Sequence, residues 1–184
     1  MDRRGTARPG GRSARVQEAV HAAVRELEPE LGREKLTVPL VAARAGVTPS
    51  TIYRRWGDLQ ALLSDIAVER LRPDSPPEDR GSLIADLRAW AGQFLEEMSS
   101  APGRAYLRDA LIGDPGVNAL RCSDYAADQI SVILGRAAAR GEPAVDTETV
   151  LDRVVAPIVY RVLCRPTAIG PGYAEGLVDD LLRS

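Results

Sequence analysis

The sequence predicts an all-α protein. A small head of three helices is followed by a larger helical bundle, about nine helices in all. Three observations carry this. Apolar residues recur at helical spacing along almost the whole chain. No stretch alternates with period two long enough to suggest a strand. Proline and glycine cluster at a few points, above all in RPDSPPEDRGS, residues 72–82, which has no apolar side chain and reads as a boundary loop.

Residues 1–12 hold Arg3, Arg4, Arg8 and Arg12 among Gly and Pro without apolar periodicity, so they read as a flexible basic arm. From Ser13 onward Val16, Val20, Val24, Leu27 and Leu31 make one apolar face of a first helix, with His21 at its boundary. Pro29 is expected to kink the last turn of that helix or start a new short one. Thr37 caps a second helix whose apolar positions are Leu40, Val41 and Ala45, and Gly46 stops it. Val47 plugs the angle before Thr48 and Pro49, a cap with proline in the first turn, start a third helix. After Trp56 and Gly57, Asp58 caps a helix carrying Leu59, Leu62, Leu63, Ile66 and Leu71.

Beyond the boundary loop everything reads as helix. One is built on Leu83, Ile84, Leu87, Trp90, Ala91, Phe94, Leu95 and Met98. A shorter one on Tyr106, Leu107, Leu111 and Ile112 is ended by Gly113, Asp114 and Pro115. A long one follows from Val117 to Arg140. Asp146 caps the next, with Val150, Leu151, Val154, Val155, Ile158, Val159, Val162 and Leu163, and Pro157 is expected to bend it. Tyr173 to Leu182 closes the chain.

Composition narrows the function classes. With 45% apolar residues the chain can build a packed core, and no apolar run approaches the ~18 residues of a membrane span. The N-terminus lacks the apolar centre of a secretory signal, so a cytoplasmic protein is expected. Two cysteines, Cys122 and Cys164, and one histidine supply neither a disulfide framework nor a zinc site. No cofactor or metal is called for. There is no GxSxG elbow, no Gly-rich phosphate loop and no visible set of acid, base and nucleophile, which argues against an enzyme. The net charge of −2 is unevenly spread. Residues 1–70 carry 12 basic and 9 acidic side chains, +3, and residues 71–184 carry 12 and 17, −5. The positive part is the part with the paired short helices.

On a helical wheel Ile52 and Trp56 fall together as core, while Pro49, Ser50, Tyr53 and Arg54 form a neighbouring arc of ~140° with Thr51 and Arg55 at its margins. Hydroxyl, phenol and guanidinium groups in one arc suit phosphate oxygens and major-groove base edges. The stretch AxxAGVxxxTIYRRW from Ala42 to Trp56, preceded by Thr37 and followed by an apolar helix, closely resembles the DNA-binding helices of the TetR (tetracycline-repressor) family of bacterial regulators. The resemblance covers roughly residues 14–68 and implies a helix-turn-helix DNA-binding domain at 13–57. Residues 58–184 become a ligand-binding and dimerisation domain. The DNA contacts expected are Thr37, Thr48, Pro49, Ser50, Thr51, Tyr53, Arg54 and Arg55. Where the family usually has a lysine that holds a phosphate, this chain has Leu59.

The wide apolar stripe on the last two helices, with APIVYRVL similar to the dimer helix of some TetR-like regulators, points to a homodimer seam through Val155, Ile158, Val159, Val162, Leu177, Val178 and Leu181. A twofold dimer implies a palindromic operator in double-stranded DNA, with two recognition helices entering successive major grooves ~34 Å apart. The resemblance also implies a repressor released by a small-molecule effector in the C-terminal body, and Trp90, Phe94, Met98, Tyr106 and Tyr125 are the candidate pocket wall. The competing reading is a ligand-sensing or protein-interacting helical dimer whose DNA head has weakened.

Overall fold

A computed structural model describes residues 11–112, 117–143, 145–166, 169–170 and 172–183, with only the backbone of Ile112. Most of the expected basic arm, and the helix-ending Gly113, Asp114 and Pro115, lie outside the described residues. Among the described residues there are nine helices and no strand. They are α1 Arg12–Leu31, α2 Val38–Ala45, α3 Pro49–Trp56, α4 Leu59–Arg70, α5 Leu83–Ser99, α6 Ala101–Ile112, α7 Val117–Ala139, α8 over residues 147–164 and α9 Tyr173–Arg183. A 3₁₀ turn, Arg33–Lys35, joins α1 to α2. The chain divides into two compact units between Leu62 and Leu63, within α4. No helix among the described residues is long and apolar enough to cross a membrane.

The head owes its core to α1 and α2. Val20, Ala23, Val24 and Leu27 of α1 are buried with Val38, Val41 and Ala42 of α2 and Ile52 of α3. Leu40, expected on the apolar face, is 42% exposed, because the buried face of α2 is the i, i+3, i+4 set that starts two residues earlier, at Val38. α1 runs through Pro29 to Leu31 and stops at Gly32, which has φ +84° and donates its N–H to the Glu28 carbonyl. Sitting in the last turn, proline removes one intrahelical bond and leaves too little helix beyond it to be redirected. Arg44 of α2 reaches back to Glu26 and Glu30 of α1 at 3.1 and 2.7 Å, and its guanidinium holds the Glu30 carboxyl below its usual range. His21 is buried rather than at the boundary, its ring 6.1 Å from that of Trp56.

In the body, α5 packs against α6, α7, α8 and α9. Leu83, Leu87, Trp90 and Ala91 of α5 share one core with Ile130 and Ile133 of α7, Val150, Val154, Ile158 and Val162 of α8, and Ala174, Val178 and Leu181 of α9. Caps fix the helix starts. Ser82 accepts from the Ala85 N–H, and Asp146 accepts from the Thr149 N–H at 2.9 Å, with the Thr149 hydroxyl and N–H holding its carboxyl below the usual range. At the start of α6, Ser100 accepts from the Gly103 N–H, and a Cβ on Gly103 would run into the Glu97 carbonyl. Glycine is required there by that close approach.

α8 is continuous but widened. Leu151–Val155 form a π-helical stretch in which the Ala156 N–H bonds the Leu151 carbonyl. Pro157 has no N–H and its ring crowds the carbonyl four residues earlier, so a wider turn just before it relieves the clash.

At the junction of α5 and α7, Asp86 is fully buried and accepts from the Arg140 guanidinium at 3.0 Å and from the Arg80 backbone N–H. Glu142 accepts from the Leu83 N–H at 2.7 Å, and the Arg140 guanidinium, helped by that N–H, holds its carboxyl below the usual range.

Candidate functional site

α3 is a short helix with one buried anchor. Ile52 is completely buried, Trp56 is half-buried, and Pro49, Ser50, Tyr53 and Arg54 are exposed together, Tyr53 by 50%. Gly46, in the left-handed region at φ +66°, ends α2 and donates to the Ala43 carbonyl, while the Val47 N–H bonds the Ala42 carbonyl. These bonds set the turn that aims α3. The Thr37 hydroxyl accepts from the Leu40 N–H at 3.4 Å, so it is a cap of α2. Thr48 has no side-chain bond to the α3 backbone; its hydroxyl lies 2.9 Å from those of both Ser50 and Thr51. The start of α3 therefore presents a small hydroxyl network.

Arg55, one of the expected DNA contacts, is engaged within the head. Its guanidinium donates to the Ser13 carbonyl at 3.2 Å, to the Ser13 hydroxyl at 2.6 Å and to Gln17, and it lies over the Trp56 ring, 5.1 Å from the centroid. On the wheel Arg55 is displaced from Arg54 toward the core side, which brings it to the N-terminal turns of α1. It ties α3 to the first turns of α1. Arg55→Ala is expected to lower stability by about 1 kcal/mol and to leave the salt slope of DNA binding unchanged, measured by urea unfolding and by binding across a salt series. A phosphate contact would instead lower that slope by about one unit.

The body contains a cavity of about 590 Å³. Trp90, Phe94 and Met98 of α5 and Tyr125 of α7 line it, the first two rings stacked at 5.3 Å. Tyr106 does not line it. It packs with Ala67, Val68 and Ala110, because it stands one position before Leu107, which does face the cavity. The loop after α4 contributes Leu71, Asp74 and Pro76, and α8 contributes Leu151, Asp152, Val155 and Val159. Burial pushes the thiol of Cys122, on the same wall, up to about 11. No group of three metal-ligating side chains occurs among the described residues.

The residues expected at the dimer seam are engaged within the protomer. Ile158, Val162, Val178 and Leu181 are buried inside the protomer's own core, and Val155 and Val159 face its cavity. Leu177 is half-buried against the core cluster. The wide stripe is wide because one flank of α8 meets the core and the other meets the cavity, a division that sequence spacing alone does not specify.

The second half of α4 is bound to the wall of this cavity. Arg121 of α7 donates to Asp65 at 2.9 Å and to Glu69 at 2.7 Å, and Asn118 donates to the buried Ser64 hydroxyl, which donates to the Ala110 carbonyl. Cys122 and Tyr125, on the same turns of α7, line the cavity.

The profile described as "Bacterial regulatory proteins, tetR family" matches residues 20–66, and that described as "Tetracyclin repressor-like, C-terminal domain" matches residues 77–181. The chain belongs to the TetR family. It is a helix-turn-helix transcriptional regulator, all-α, with the DNA-binding head followed by a helical C-terminal domain, as the resemblance implied. The HTH-type transcriptional regulator YdeS of Bacillus subtilis is 26% identical over 172 residues, spanning 89% of this chain and 86% of the relative. The TetR family transcription regulator SCO0332 is 26% identical with a TM-score of 0.65, covering 91% of this chain and 97% of that one. FadR of Thermus thermophilus, a TetR-family repressor solved in complex with lauroyl-CoA, shares the fold at 19% identity and a TM-score of 0.57, covering 91% of each chain.

Proposed function

We propose that this regulator is a repressor that binds a palindromic operator as a homodimer and leaves it when a small molecule fills the body cavity. The observation that carries the DNA reading is the exposed arc of Pro49, Ser50, Tyr53 and Arg54 on a helix whose opposite side is anchored by the buried Ile52. Ser50 and Arg54 read base edges, Tyr53 and the Thr37 hydroxyl hold backbone phosphates, and Thr48, Pro49 and Thr51 shape the start of the helix. Selection of genomic fragments by the purified protein tests this. An enriched inverted repeat is expected, and enrichment of no fragment above background would favour the ligand-sensing dimer with a weakened head, to which Leu59 in place of a lysine would contribute.

The route from ligand to head runs through α4. A molecule seated against α7 shifts the turns that hold Cys122 and Tyr125, and Arg121 and Asn118 pass the shift to Asp65, Glu69 and Ser64. That helix continues the chain from the recognition helix, so the ligand needs only to favour one of two placements of α4.

The dimer seam lies on the outer flank of α8. Arg153 and Cys164 are exposed there around Tyr160, which is 56% exposed, and Gly176 on α9 has open space where a side chain would project. A large exposed aromatic suits helix packing across a twofold axis. Tyr160→Glu is expected to cost about 3–5 kcal/mol of association by burying an unpaired charge, giving monomer in sedimentation at micromolar concentration. Val155→Glu, facing the cavity, is expected to remain dimeric. The opposite pattern would place the seam on the inner flank.

A further inference from the structure

We propose that the body cavity selects a cationic amphipathic molecule and discriminates against anionic ones; this rests on the cavity being the effector site. Its inner wall is apolar and aromatic, with the stacked Trp90 and Phe94 among its surfaces. Its charged lining is of one sign. Asp74 on the loop, Glu97 on α5, and Glu148 and Asp152 on α8 all border the cavity, and none of its described lining residues is Lys, Arg or His. All four acidic residues are exposed, which puts them toward the mouth. Among the described residues none of the four is ion-paired with a basic side chain; Glu97 accepts only from the Gln93 amide, at 2.8 Å.

Of the arginines that adjoin lining residues, Arg121 is engaged by Asp65 and Glu69 and Arg153 has an interaction of its own, and neither these two nor Arg72 lines the cavity. A cleft with low-dielectric walls and uncompensated charge of one sign concentrates its field and raises the local concentration of the opposite ion. Aromatic surface adds to the attraction for a cation and not for an anion. An anionic head group entering here would shed water without gaining a charged donor, and it would meet four like charges. The uneven charge of the chain, net −5 over residues 71–184, acts in the same direction.

Two ions of nearly the same shape and opposite charge separate the terms. Isothermal titration of the full chain with tetraphenylphosphonium chloride and with sodium tetraphenylborate, in sodium buffer of equal ionic strength, is expected to give binding about tenfold tighter or more for the phosphonium. Glu97→Gln combined with Asp152→Asn is expected to remove most of that preference. Val155→Trp, and independently Ser123→Trp at an exposed lining position, are expected to block phosphonium binding by filling the space. Equal or tighter binding of the borate, still blocked by the tryptophan variants, would overturn the charge selection and leave the cavity as the effector site. Phosphonium binding untouched by both tryptophan variants in folded protein, or binding of neither ion, would overturn the cavity reading and the proposal with it.

Discussion

The Tyr53→Ala, Arg54→Ala variant is expected to lose roughly 3–6 kcal/mol of operator affinity summed over two protomers, on the order of 10²–10⁴-fold, because a bidentate arginine–base contact contributes ~1–3 kcal/mol and a phenol–phosphate bond adds to it. Both side chains are exposed and neither is part of the head's core. The substitution should therefore leave stability within about 0.5 kcal/mol of the parent. Fluorescence anisotropy on the selected operator, beside urea unfolding of the same sample, measures both quantities. The single variants divide the effect. Tyr53→Phe is expected to weaken all sequences alike, whereas Arg54→Ala changes which operator positions are preferred. A folded, dimeric double variant with undiminished affinity and preference would remove α3 from the DNA interface.

Much of the head was legible because its signals are local. Gly46 after a small-residue helix and proline in the first turn of the next specify a turn whatever surrounds them, and the turn aims Tyr53 and Arg54 outward. What the sequence could not specify was which neighbour each flank meets. Arg54 and Arg55 are adjacent, chemically identical and both exposed, yet Arg55 is held by Ser13 and Gln17, some forty residues earlier. Val155 and Ile158 belong to one apolar stripe, but one faces a cavity and the other a core. Tyr106 and Tyr125 looked equivalent, and only the packing of α6 and α7 separates them. Pro29 stands two residues before the last residue of α1, where there is little helix interior left to disrupt.

The ionic junction of the body makes an asymmetric prediction. The Arg140 side chain is 27% exposed and binds Asp79 and Glu142 as well as Asp86, whereas Asp86 is wholly buried and, among the described residues, has only Arg140 and one backbone N–H. Removing Asp86 leaves Arg140 with two carboxylates and contact with water; removing Arg140 leaves a carboxylate in the core without a counter-charge. Breaking a buried pair costs ~3–5 kcal/mol when the survivor is stranded, so Arg140→Ala is expected at that level and Asp86→Ala at about 2 kcal/mol, closer to the loss of charged hydrogen bonds. The double variant should cost less than the two added together, since the stranded charge is then absent. Urea unfolding of the three proteins decides it. If Arg140→Ala costs no more than Asp86→Ala, the carboxylate finds water or another donor once the guanidinium is gone, and α5 and α7 are held together at that end by their apolar contacts alone.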